Sequence, residues 1–173
     1  ATMNVIVKNI LRILVLIFAQ GLIFGQLPFG FGIHPMIYPL AIILLPFDTR
    51  PVWLLIIAFF IGLSVDVFMN TFGLHARSAV LIAFIRPAIF RRFAPRDDYD
   101  LLKEPTASEW GYAWFIKVSA TMILIHHLWF FILEYFKFSA WKDIITSTIL
   151  SSLISLIIFI LLQVFFFKKP KSI

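Results

Sequence analysis

The sequence contains no cysteine. Disulfides, thiolate metal centres, iron–sulfur clusters and cysteine nucleophiles are therefore excluded. Charge is scarce too: only 14% of residues are Asp, Glu, Lys or Arg, too few to coat a water-soluble fold. Acidic residues are the rarer sign, nine against fifteen basic. No H-E-x-x-H, G-x-x-x-x-G-K-[ST] or G-x-S-x-G pattern occurs, so the usual marks of a zinc protease, a P-loop and a serine hydrolase are missing. No enzymatic activity and no cofactor are expected. What the chain has in excess is apolar: 61% hydrophobic residues and a mean hydropathy of +0.98, against roughly 45–50% apolar in soluble domains. That surplus has to face lipid. The net charge of +6 does not by itself imply nucleic acid, because basic residues collect in the cytoplasmic loops of membrane proteins; no nucleic-acid partner is expected.

A spanning helix needs about 20 mostly apolar residues. The hydropathy predicts an all-α, polytopic membrane bundle of about six transmembrane helices in a single domain, over 10–27, 33–47, 52–69, 74–93, 112–135 and 144–167. Met3 is expected to be the native start, and the first helix is expected to be retained, since the residue two before Ala19 is the large Ile17. The second helix is short and carries Pro35, Pro39 and Pro46, so it is expected to be kinked, tilted or partly re-entrant. The only sizeable aqueous segment is 94–111, which holds Asp97, Asp98, Asp100, Glu104 and Glu109 and reads as a solvated surface.

The basic residues set the expected orientation, with both termini cytoplasmic. Lys8, Arg12, Arg50, Arg91, Arg92, Arg96, Lys103, Lys168, Lys169 and Lys171 then fall inside, and only Arg77, Lys137 and Lys142 outside. Arg86 and Lys117 are expected to snorkel inward. Arg91, Arg92 and Arg96 form a basic surface that faces cytoplasmic partners or anionic lipid, or serves orientation alone. Trp53, Tyr112, Trp114, Trp129, Tyr135 and Trp141 lie near predicted helix ends, as interfacial aromatics do.

Asp66 is the residue of most interest, alone in an apolar helix four residues before its end. Arg77 lies equally far beyond the turn near Thr71 and Phe72, so antiparallel neighbours would hold the two at one depth. Each alone costs about 2.5–3.5 kcal/mol at a helix centre. A structural ion pair, a proton or substrate site lined also by His75 and Asn70, and a partner contact are the three readings. Ala58, Gly62 and Asp66 share one face, as do Ser147, Ser151 and Ser155; both stripes read as internal helix packing ahead of a dimer contact. His126 and His127 point about 100° apart and have no acidic or histidine neighbour three or four positions away, so a packing hydrogen bond or an interfacial role is expected and a metal site is not. Glu134 is expected to be solvated.

The segment Phe60-Ile61-Gly62-Leu63-Ser64-Val65-Asp66 followed by Gly73-Leu74-His75-Ala76 resembles the signature of the rod shape-determining protein MreD family: Gly-Leu-x-x-Asp ending an apolar helix, a short turn, then Gly-x-x-Ala opening the next. Tyr38-Pro39-Leu40 precedes it as in that family, whereas Pro35, Pro46 and the histidine pair have no counterpart in the pattern. The motif places Gly62, Leu63, Asp66, Gly73, Ala76 and Arg77 at the centre of interest. The resemblance implies a fold similar to the substrate-binding subunits of energy-coupling-factor vitamin transporters. It implies a non-enzymatic scaffold or regulator of cell-wall elongation in the bacterial inner membrane. Its implied partners are an MreC-like protein, a RodA-like polymerase with its transpeptidase, and MreB-like filaments. The similarity to transporter subunits supplies the alternative, a small-molecule-binding membrane subunit.

Overall fold

The computed structural model describes residues 2–167, with side chains from residue 4 onward. The predicted basic tail Lys168, Lys169 and Lys171 lies outside the described residues. Every regular element among the described residues is helical: α1 Thr2–Ala19, α2 Pro39–Ile43, α3 Pro51–Met69, α4 Leu74–Arg92, α5 Ala107–Trp110, α6 Tyr112–Tyr135 and α7 Trp141–Phe166. Four helical stretches are long and apolar enough to cross a membrane: Asn4–Phe24, Pro51–Met69, Tyr112–Tyr135 and Phe138–Phe166. α4 matches α3 in length, but Arg77, Arg86, Arg91 and Arg92 lower its apolar content.

Local chemistry sets the ends of the helices. Pro51 occupies the first turn of α3, where its missing N–H is no loss. Asn70 closes that helix in the left-handed conformation, which asparagine tolerates better than most residues. Gly73, at φ +89°, then turns the chain into α4. α4 packs along α3 on one side and α6 on the other, and α7 packs on α6.

Two predicted boundaries are corrected. The first helix begins at Thr2, not near residue 10, and passes at Gln20–Phe24 into a wider π turn. The second predicted helix is largely absent. Only Pro39–Ile43 is helical, about 7.5 Å of rise against a hydrocarbon core of about 30 Å. The segment nevertheless travels the length of the bundle. A Cβ on Gly21 would lie 2.6 Å from Phe68, and one on Gly25 would lie 3.1 Å from Met69. α1 and α3 therefore end side by side and run parallel, so residues 26–50 must return the chain from one end of the bundle to the other.

This return segment forms the core. Residues 35–45 are all buried. Buried non-helical backbone needs partners for its polar groups, and here side chains from distant helices supply them. His34 N donates to Ser151 Oγ and Met36 N to Ser155 Oγ, both at 2.9 Å. On the opposite edge the Gln20 amide takes both roles, accepting from Ile37 N at 2.6 Å and donating to Pro35 O at 3.3 Å. Donors 34 and 36 on one edge, with 35 and 37 on the other, follow the alternation of extended backbone. Ser147 completes the serine stripe against Gly32, whose φ is +70° and whose Cβ, if present, would lie 2.7 Å from Ser147 Oγ.

The stripe is thus an internal contact, as expected, but two of its members serve as hydrogen-bond acceptors for backbone. Ser151→Ala and Ser155→Ala should each lose about 1–2 kcal/mol by stranding an N–H, read from thermal unfolding in detergent. Ser147→Ala should stay within about 0.5 kcal/mol of the parent. Equal losses at all three positions would mean that the serines act only as small packing residues.

Both described chain ends sit at one end of the bundle, since the Arg12 guanidinium lies 4.7 Å from the Phe167 ring centre. Segment 94–111 lies there too, with Lys8 and Arg12 both bonded to Glu104 at 2.8 and 2.9 Å. The α3–α4 turn and the α6–α7 connection lie at the other end.

Candidate functional site: a buried polar tract under the α3–α4 turn

Asp66 is 4% exposed and points into the bundle from the last turn of α3. Its carboxylate accepts from His75 N and Ala76 N, each at 3.0 Å. These amides are the second and third of α4, two of the donors that a helix start leaves without partners. An N-cap side chain ordinarily takes them, but the residue at that position is Gly73. Asp66 therefore caps the following helix from the preceding one, with its negative charge at the positive end of the α4 dipole. Thr71 Oγ1 donates to Oδ1 at 2.5 Å, and His75 Nδ1 lies 3.0 Å from the same oxygen.

Gly62 makes this geometry possible. A Cβ there would lie 2.5 Å from Ala76 Cα, 2.6 Å from His75 O and 2.7 Å from Ala76 N. The α3 and α4 backbones touch at Gly62 and Ala76, one turn below the cap. Ala58, a further turn along, is fully buried on the same face. Gly62, Asp66, Gly73 and Ala76 thus act as one joint, while Leu63 points outward.

The predicted Asp66–Arg77 ion pair is not formed. Arg77 is exposed and lines a groove on the outer face of the hairpin. Asn70 is exposed as well, so the expected cluster of Asp66, His75, Asn70 and Arg77 divides into a buried half and a surface half. Ala76 takes the place assigned to Arg77; the next residue points about 100° away around the helix.

Beneath the cap lies a second polar layer. Tyr38, from the return segment, sits between the rings of His75 and His126, with centroids at 5.5 and 5.3 Å. Its hydroxyl lies 2.5 Å from His126 Nε2 and 3.2 Å from His75 O. One hydrogen cannot serve both. The arrangement that satisfies each group has His126 Nε2–H donating to Tyr38, and Tyr38 donating to the carbonyl. His126 Nδ1 is then a bare acceptor, and His75 Nε2 is likewise buried without a partner. His127 points elsewhere: its Nδ1 lies 2.9 Å from Ile123 O, and its Nε2 lies 3.5 Å from Ser155 Oγ. The pair therefore serves helix packing, the first of the two expected roles, since both rings are fully buried. Among the described residues no group of three metal-ligating side chains converges. Glu134 is exposed, as expected.

Arg86 overturns the snorkelling expectation. It is 1% exposed and donates to Ile43 O and Leu45 O, with its guanidinium 4.3 Å from the Phe90 ring centre. The carbonyls at the end of α2 lack helical partners, and a cation suits that end of a helix. Lys117 remains exposed.

Segment 94–111 is only partly the solvated surface expected of it. Asp97, Asp98 and Asp100 are exposed. Tyr99 folds back onto the bundle: it stacks on Phe47 at 4.5 Å, donates to Phe90 O at 2.8 Å and accepts from Trp114 Nε1 at 2.9 Å. Glu104 clamps α1 through Lys8 and Arg12. Burial pushes its carboxyl up, but the hydrogen bonds and charges of Arg12 and Lys8 outweigh that and hold it below its ordinary value of 4.5. A group depressed in the folded state stabilises above its unfolded pKa and loses that contribution as pH falls through the folded one. Stability should therefore fall below about pH 4.5, and Glu104→Gln should flatten that part of the pH profile of thermal unfolding. Arg91 and Arg92 at the end of α4 and Arg96 within the segment are all exposed.

Tyr38 and Thr71 supply polar side chains to the site that the residue types alone did not single out. The available signal was a lone Gln20 and a lone Arg86 in otherwise apolar stretches, since an isolated polar group at membrane depth needs a partner. No family model, no curated protein and no solved structure matches the chain.

Proposed function

We propose that this chain is an MreD-like, non-enzymatic scaffold or regulator of bacterial cell-wall elongation in the inner membrane. In this role it links an MreC-like protein and MreB-like filaments to a RodA-like polymerase and its transpeptidase. The observation that carries the reading is the joint. The residues of the Gly-Leu-x-x-Asp and Gly-x-x-Ala pattern, quoted for the resemblance from sequence alone, converge as one device of contact and cap at Gly62, Asp66, Gly73 and Ala76. The buried acid is spent on fixing a hairpin, which suits a rigid surface for partner helices. With α4 and the return segment counted, the chain makes six traverses. The end carrying Lys8, Arg12, Arg50, Arg91, Arg92, Arg96 and Lys103 is cytoplasmic.

The test is capture and shape together. In a rod-shaped bacterium that depends on the gene, the tagged chain should co-purify with the MreC-like and RodA-like proteins, and its depletion should give round cells. Impermeant thiol labelling should reach a cysteine at position 31 and not one at position 98. Depletion without a change of shape, with neither partner captured, would sink the reading. A small-molecule-binding subunit would instead retain ligand on purification and bind it saturably.

A further inference from the structure

The outer face of the α3–α4 hairpin holds a groove of about 590 Å³. Phe59 and Leu63 of α3 wall one side, Val80 and Phe84 of α4 the other, and Trp129 of α6 closes an edge. The floor is low because Gly73 and Ala76 line it; Ala76 is also the residue of α4 that touches α3 at Gly62. Arg77 stands at the turn end, the one formally charged side chain in the lining. It is exposed, and none of the ion pairs among the described residues involves it. Phe84 lies seven residues further along α4, about 10 Å deeper. The groove therefore has the polarity of an amphiphile, with one cation at the surface end and hydrocarbon below it.

We propose that this groove is a binding site for an anionic phospholipid, with the phosphate on Arg77 and an acyl chain along Leu63, Val80 and Phe84. Charge complementarity selects that occupant. The membrane supplies phosphate at the depth of Arg77 at high concentration. A partner helix would have to place a carboxylate beside Arg77, and acids are rare in spanning segments. A zwitterionic phospholipid also carries a phosphate, but its own ammonium offsets that charge, so it gains less from the Arg77 guanidinium than a lipid of net negative charge. The proposal does not depend on the function in cell-wall elongation.

The experiment uses the full chain in nanodiscs containing either brominated phosphatidylglycerol or brominated phosphatidylcholine at equal fraction. Quenching of Trp129 is taken as the difference between the parent and Trp129→Phe. Phosphatidylglycerol should quench Trp129 with an apparent affinity about fivefold higher, the scale of one basic side chain against an anionic surface. Arg77→Ala should abolish that preference and Arg77→Glu should reverse it; neither residue change disturbs a hydrogen bond of the fold. Val80→Phe, which fills the groove, should weaken quenching by both lipids. Equal quenching by the two lipids in the parent would overturn the proposal, as would a preference that survives Arg77→Ala. So would a photo-crosslinker at position 81 that captures protein in place of lipid in native membranes.

Discussion

Asp66→Ala should destabilise the protein by about 3–5 kcal/mol, while Arg77→Ala should stay within about 0.5 kcal/mol of the parent. The asymmetry follows from what each side chain touches. Asp66 holds two α4 amides, the Thr71 hydroxyl and His75 Nδ1. Each donor left bare in a buried site costs on the order of 1 kcal/mol or more, and membrane measurements lie at the low end of that range. Asp66→Asn, which keeps one acceptor oxygen, should fall between parent and alanine. The double variant with Arg77→Ala should be additive, because the two groups share no partner. Thermal unfolding of the purified protein in one detergent reads all four variants. A strong coupling between positions 66 and 77 would restore the ion pair that counting along the sequence suggests.

The second large effect is expected at Gly62. The three atoms nearest to a new Cβ are all backbone of α4: Ala76 Cα, His75 O and Ala76 N. None can swing aside, so the helices must separate and draw His75 N and Ala76 N away from the carboxylate. Alanine would gain up to about 1 kcal/mol in helix propensity and lose more through overpacking; the net expectation is a loss of about 2 kcal/mol, larger for Gly62→Leu. Ala76→Gly should not rescue either variant, since it removes none of the atoms struck. Gly21 gives the contrast. A Cβ there meets the Phe68 side chain, 2.6 Å from its Cβ and 2.7 Å from its Cγ, so Phe68→Gly, which removes both atoms, should relieve much of the cost of Gly21→Ala, and Phe68→Ala, which keeps the Cβ, should relieve less. Rescue of Gly62→Ala by Ala76→Gly would show that the hairpin tolerates more separation than the contact implies.

The four apolar spans and the α3–α4 hairpin were legible from hydropathy and turn chemistry, because both are local. α3 and α6 match their expected limits to within a residue. The error at Arg77 came from reading depth without azimuth: residues 76 and 77 lie at nearly one level and face different directions. The return segment was illegible for another reason. Its prolines announced a broken helix, but whether bare backbone is tolerated inside a bundle depends on groups far away in sequence. Ser151 and Ser155 lie more than a hundred positions from the amides they accept. Arg86 was misplaced by the same logic, since its need was set by carbonyls at Ile43 and Leu45 and not by its own helix.

The serine contacts carry a dimensional consequence. Four residues of helix advance about 6.0 Å, and two residues of extended chain about 6.6 Å. Laid side by side, Ser151 and Ser155 and the alternate residues 34 and 36 behave as two rulers of slightly different graduation. The mismatch of about 0.6 Å per step is as large as the roughly 0.5 Å range of N–H···O distances, and the two hydrogen-bonded rungs, at residues 34 and 36, are a single step apart and both measure 2.9 Å. A third hydrogen-bonded rung would be stretched by twice the mismatch. The chain leaves the extended form after residue 37 and is helical from Pro39, so the length of bare strand that this bundle can shelter is limited by the difference between two pitches.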